Sequence, residues 1–184
     1  MSRFSKQATP TIGDGVMVAS MWVCDREMNG TVDVYQRDDG NIYLASGSRT
    51  PEGPMVVNGW CRVVSADIAD DELGALVEEG LRVGEEPGRE ILLDDRKELL
   101  MPLLKLAKVR SFAAFARGTR GAGVDRDSSG AYVVIPTDNR GVRSGFMFID
   151  QKVIVPAGSG AEEIGRAVRL GLASSSIAEA ARSS

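Results

Sequence analysis

DDELGALVEEGL (Asp70–Leu81) and AEEIGRAVRLGL (Ala161–Leu172) lie on each other without a gap, and that pairing decides how the chain is built. Glu72 falls on Glu163, Leu73 on Ile164, Gly74 on Gly165, Val77 on Val168, Gly80 on Gly171 and Leu81 on Leu172. Leu73, Leu76, Val77 and Leu81 recur at helical spacing in the first segment, and Ile164, Ala167, Val168 and Leu172 in the second. Each is therefore a surface helix with one buried stripe. Both follow an apolar, strand-like run, Cys61–Val64 and Lys152–Val155, and RDDGNIYLAS (Arg37–Ser46) precedes the first much as RDSSGAYVVIP (Arg126–Pro136) precedes the second. A strand-strand-helix unit present twice is the simplest account. Each helix also carries two interior glycines, which cost about 1 kcal/mol apiece relative to alanine. Gly80 and Gly171 project onto the apolar side and read as points of close backbone packing against a sheet. Ser159 with Glu162 has the spacing of a capping box for the second helix.

Runs rich in β-branched and aromatic residues between turn residues predict strands at Gly15–Cys24, Thr31–Gln36, Asn41–Ala45, Val56–Val64, Ala131–Pro136, Gly145–Ile149 and Lys152–Pro156. Asp38, Asp39 and Gly40 form the turn of one hairpin, and Asp150 with Gln151 that of another. Short gaps favour antiparallel pairing. Trp22 and Trp60, close to Cys24 and Cys61, read as a pair of core strands. Between the copies, Asp95 and Glu98 start a helix that Pro102 should kink or divide, and Ser111 caps a short helix that Gly118 stops. The tail from Ser174 either prolongs the last helix or frays. The predicted class is α+β: antiparallel sheets with packed helices, in two similar strand-strand-helix halves joined by a helical connector. One domain is expected over residues 1–184, with halves at about 13–88 and 103–173 and the connector at 89–102.

Composition narrows the chemistry. With 184 residues, 43% of them hydrophobic, the chain can bury a real core. No apolar run approaches the roughly 18 to 20 residues of a membrane helix, and MSRFSKQATP lacks the apolar stretch of a secretion signal, so a cytoplasmic protein is expected. The absence of histidine removes Ser-His-Asp and Cys-His catalysis and the usual zinc and non-haem iron sites. Two cysteines cannot close a structural zinc site. The glycine-rich turn in KVIVPAGSGAEEIG follows a strand and opens a helix, but Glu163 stands where a dinucleotide fingerprint needs its third glycine. Gly118, Gly121 and Gly123 lack the following Gly-Lys-Ser/Thr of a phosphate loop. Adjacent acidic pairs such as Asp70 and Asp71 diverge by about 100° on a helix and cannot share a substrate. No catalytic residue, cofactor or metal is assigned.

Charge is unevenly spread. Asp67–Glu98 holds twelve acidic and four basic residues, whereas Pro102–Ser184 holds seven acidic and twelve basic, so the net charge of -4 hides a dipole. A sequence pI near 5.0 argues against direct nucleic-acid binding. The acidic segment suits a basic protein partner such as a nuclease, with Asp71, Glu72, Glu78, Glu79, Glu85 and Glu86 as candidate contacts.

The order LLKLAKVRSFAAFARG (Leu103–Gly118), GAYVVIPT (Gly130–Thr137), GFMFIDQKVIVP (Gly145–Pro156) and AEEIGRAVRLGL resembles the immunity proteins of bacterial contact-dependent growth inhibition systems. That family carries a leucine-lysine stretch, a Lys/Arg-Ser-Phe helix start, an I-x-P strand and a closing E-x-[LI]-G-x-A helix. The match covers roughly the C-terminal two-thirds and weakens before Leu92. It implies a cytoplasmic protein that binds a cognate toxin C-terminal domain and silences it, with no enzymatic activity, cofactor or membrane contact, and leaves the oligomeric state open. Two other classes stand against this reading. One is a small carboxylate-dependent hydrolase, marked by a cleft gathering carboxylates from different strands. The other is a homo-oligomeric structural module in which acidic and basic halves of neighbouring copies dock.

Overall fold

The structure, a computed structural model, describes residues 30–51, 53–86, 91–141 and 144–178. Strands β1 (Gly30–Gln36), β2 (Asn41–Arg49) and β3 (Met55–Ser65) lead into α1 (Asp70–Glu85). A 3-10 turn at Leu93–Asp95 opens α2 (Arg96–Leu106), and α3 (Phe112–Ala116) follows. Then come β4 (Arg120–Arg126), β5 (Tyr132–Asn139), β6 (Phe146–Phe148), β7 (Val153–Val155), α4 (Ala161–Ser174) and β8 (Ser176–Ile177). The expected strand Gly15–Cys24, with Trp22 and Cys24, lies outside the described residues, as do the ends of the expected halves before residue 30 and at 87–88.

The eight strands among the described residues join one sheet ordered β3-β2-β1-β4-β5-β6, with β7 and β8 also on β5. Every pairing is antiparallel except that of β8 with β5, so the architecture is the α+β one that the sequence predicts. Outward from the central β1–β4 pair the two halves are built alike. β2 lies beyond β1 and β5 beyond β4, and Ile42 opposite Gln36 corresponds to Tyr132 opposite Arg126. Even the irregularity repeats. Ala45 faces Cys61 and Gly47 faces Val57, so two steps on β2 match four on β3; Val134 faces Val153 and Thr137 faces Phe148, so three steps on β5 match five. Two surplus residues are thus accommodated at the same height on each side, a bulge that bends the outer strand. On β3 the bulge holds Asn58 and Gly59, the latter at φ +89°, and the Asn58 side chain accepts from the Trp60 N–H at 3.0 Å.

This arrangement corrects one expected hairpin. Gly145–Ile149 and Lys152–Pro156 do not pair with each other about Asp150 and Gln151; β6 and β7 both pair with β5, as one outer strand interrupted where β3 bulges. Eight residues of β5 are long enough to serve both short strands, which local spacing cannot reveal. One smaller expectation narrows and two change. Pro102 sits inside α2 without dividing it. The capping contact of α4 lies one residue later, with the Gly160 N–H donating to the Glu163 carboxylate at 3.0 Å. After α4 the chain neither continues as helix nor stays irregular through Ile177, but adds β8 beside Asp138 and Asn139.

Alternation along the strands divides the core between two faces. Val32, Val34, Ile42, Leu44, Ala122, Val124 and Val134 meet Leu73, Val77, Leu81, Ile164, Val168 and Leu172 of α1 and α4 on one face. Tyr35, Tyr43, Ala45 and Phe146 meet Leu103, Leu104 and Phe115 of α2 and α3 on the other. Gly80 lies on Val32 and Trp60, and Gly171 on Val134 and Ala122, the close approach to the sheet that their positions predict. Gly74 and Gly165 do something else. A Cβ on Gly74 would stand 1.8 Å from the Ala161 carbonyl oxygen, and one on Gly165 would stand 1.8 Å from that of Asp70. The helices cross backbone to backbone, each glycine admitting the first turn of the other helix. Ser111 caps α3 as predicted, accepting from the Ala114 N–H at 3.2 Å.

Candidate functional site

The six carboxylates singled out on the acidic segment do not share one environment. Asp71 and Glu72 stand exposed in the first turn of α1 with no partner among the described residues, and there they favour the positive end of the helix. Glu78 accepts from the Tyr132 hydroxyl at 2.9 Å. Burial, and then this carboxylate, push the tyrosine's pKa up. Glu79 is half-buried; its Oε1 accepts from Trp60 Nε1 at 3.1 Å and from Arg62 at 2.6 Å, while the Arg62 guanidinium stacks 4.8 Å from the centre of the indole ring. Glu85 takes both Nε and Nη2 of Arg126, a bidentate pair that raises the arginine's pKa. Glu86 pairs with Arg82 one turn earlier at 3.1 Å, both side chains largely exposed. The helix surface thus offers free charge at its start, while Glu79 and Glu85 fasten it to β3 and β4. Sequence spacing places all six on one segment and cannot show that three of them bond to residues on strands.

Two carboxylates do come together from different strands. Asp125 on β4 pairs with Thr31, and Asp33 on β1 pairs with Gly123, so the two aspartates are diagonal neighbours on the face away from α1 and α4. They are buried, at 3% and 8% exposure, rather than set in a cleft. Burial, reinforced by the Asp33 charge, pushes Asp125 up to about 7 against the opposing hydrogen bond of Thr31 and charge of Lys152. Its Oδ1 has no hydrogen-bond partner among the described residues. Such an enclosed pair lacks the access that a hydrolytic dyad requires. Cys61 is half-buried, and burial raises its thiol pKa, the wrong direction for a nucleophile. No group of three or more cysteine, aspartate or glutamate side chains among the described residues is placed to hold a metal ion. None of their helices is long and apolar enough to cross a membrane.

A cavity of about 440 Å³ opens on the opposite side, lined by Gln36, Ile42, Arg120, Arg169, Leu172 and Ala173. Arg169 donates Nε to Asp70 at 2.6 Å and its other nitrogens to the carbonyls of Ala66 and Ile68. Arg120 donates Nη1 to the Ser175 carbonyl at 2.7 Å and forms no ion pair among the described residues. No sequence signal marks this cavity.

No protein-family model matches the chain, and no curated protein matches it. Solved structures do. One is a protein of unknown function from Neisseria meningitidis, 13% identical, with a TM-score of 0.63 over 84% of this chain and 99% of that one. Another belongs to the CdiA-CT/CdiI toxin and immunity complex from Yersinia pseudotuberculosis, 17% identical, with a TM-score of 0.59 over 78% of this chain and 95% of that one. At these identities the likeness is one of fold.

Proposed function

We infer that this chain is an immunity protein, which binds the toxin domain of a contact-dependent growth inhibition system in the cytoplasm and blocks its active site or substrate surface. The observation that carries the reading is the fold shared with a chain of the CdiA-CT/CdiI toxin and immunity complex. Supporting it are the order of motifs between Leu103 and Leu172, the absence of histidine, and the burial of the Asp33 and Asp125 pair drawn from different strands. The protein acts by occupancy and not by catalysis. The partner is a basic toxin C-terminal domain, a nuclease in the simplest case. The exposed start of α1, Asp71 and Glu72, is its first contact, with Glu78, Glu79, Glu85 and Glu86 extending the negative surface.

The test is co-expression with the toxin domain encoded beside this chain, followed by purification of the pair. Rescue from that toxin and not from unrelated ones, together with a stable complex, is the expected result. Failure of the purified proteins to associate overturns the reading.

A further inference from the structure

The bulge in β3 holds an asparagine followed by a glycine, and each residue is required there for its own reason. Gly59 stands at φ +89°, where a side chain would be strained. Asn58 is 1% exposed and bonded at both ends of its amide. Nδ2 donates to Ser46 Oγ at 2.8 Å and to Ser48 Oγ at 3.0 Å, and Oδ1 accepts from the Trp60 N–H at 3.0 Å. In an open chain an asparagine followed by glycine is the step most prone to deamidation, because glycine puts no side chain in the way of its own nitrogen as that nitrogen attacks the asparagine Cγ.

We propose that Asn58–Gly59 is a modification site that the fold keeps sealed, and that it deamidates only when β3 leaves β2. The Gly59 nitrogen forms a bond to Asn58 Cγ and the Cγ–Nδ2 bond breaks; the Gly59 proton passes by way of solvent to the leaving nitrogen, which departs as ammonia. Water then opens the succinimide at either carbonyl, leaving aspartate or isoaspartate. The closed bulge opposes each step. The bonds to Ser46, Ser48 and Trp60 hold the amide plane against the rotation that attack requires. The departing nitrogen needs a proton, yet both serine hydroxyls act as acceptors toward it, and that of Ser46 commits its own proton to the Gly80 carbonyl at 2.7 Å. Water, which must carry the proton and open the ring, is kept out of so buried a site. β3 lies at the end of the strand order and pairs with β2 alone, so the loss of one ladder breaks the seal. The change is one-way. Aspartate at this position sets a carboxylate between two hydroxyls, one of which has no proton to give, and isoaspartate lengthens the backbone inside the bulge. The site does not depend on the toxin-binding reading.

The experiment incubates the full chain in mildly alkaline buffer beside a synthetic peptide spanning Met55–Val64. Products at position 58 are mapped by mass spectrometry after proteolysis, separately from those at the other Asn-Gly step, Asn29–Gly30. Amide hydrogen exchange of β3 is followed in the same samples. The folded chain should deamidate at Asn58 at least about a hundredfold more slowly than the peptide, as a reaction limited by local opening requires. Ser48→Ala removes one acceptor at a half-buried position and should speed deamidation several-fold, in step with faster exchange of β3. Asn58→Asp, the product itself, should melt at a lower temperature than the parent. A folded chain that deamidates as fast as the peptide overturns the proposal. So does a rate that stays fixed while β3 exchange rises, in Ser48→Ala or in urea below the unfolding transition, and the urea result stands even if Ser48→Ala does not fold.

Discussion

At the residue scale, two pairs of positions bear strain that can be measured. Alanine at Gly74 or Gly165 improves helix propensity by about 1 kcal/mol. It also places a methyl group 1.8 Å from a backbone oxygen of the facing helix, which no rotamer change can relieve. Overpacking typically costs about 1 to 3 kcal/mol and here requires the helices to move apart, so it should outweigh the gain. Each single variant should unfold at lower denaturant, and the double variant should lose clearly less than the two losses added, because one separation serves both methyl groups. Full additivity would mean that the two contacts do not belong to one crossing. The second pair is Asp33 and Asp125. With Asp125 raised from 3.8 in the unfolded chain to about 7, the folded state holds the proton more tightly between those values. Its contribution to stability is complete below pH 3.8 and is lost as pH rises through about 7, with a ceiling on the order of 4 kcal/mol. Asp125→Asn should therefore flatten the fall in stability between pH 5 and 8, measured by urea unfolding across that range. A parent protein whose stability rises steadily over that interval would contradict the assignment.

At the element scale, α1 separates binding from folding. Lysine at Asp71 and Glu72 touches no partner among the described residues and should shift stability by less than about 0.5 kcal/mol. It should slow association with a basic toxin at low salt and flatten the salt dependence. Lysine at Glu79 is different, since it faces Arg62 and abandons the Trp60 indole N–H, so a loss of roughly 1 kcal/mol is expected. Thermal melts and stopped-flow association on the two variants test the division, and equal effects of both on the melt would refute it. The helices themselves were legible because a stripe at 3.6-residue spacing is a local property. The bulge in β3 was not: Asn58–Gly59 carries a turn signal, but the apolar run from Val56 to Val64 reads as an even strand. β6 and β7 are hidden for a related reason, since two short runs separated by Asp150 and Gln151 look like partners until the length of β5 is known. The slip of the α4 cap by one residue reflects adjacent Glu162 and Glu163, either of which meets the spacing rule.

At the scale of the whole molecule, the alignment of Asp70–Leu81 with Ala161–Leu172 anticipated the equal strand order of the halves. The cavity was hidden, because an empty space is defined by the side chain that is missing. The crossing of α1 and α4 has a further consequence. The main hydrophobic cluster draws Val32, Leu44 and Leu73 from one half and Val124, Ile164 and Leu172 from the other, across a seam held by one β-ladder, the contact between helix backbones, and side-chain bonds such as Glu85–Arg126 and Asp70–Arg169. Such a protein is in effect a heterodimer whose two halves are joined covalently, and the join raises their effective concentration while α2 adds its own packing against the sheet. Residues 1–88 and 89–184 supplied as separate chains should each lack a cooperative melt and regain one when mixed, with a midpoint that rises with concentration. A cooperative melt by either fragment alone would show that one half owns the core. If they reassemble, the same sequence becomes a two-piece switch whose assembled state is set by dilution.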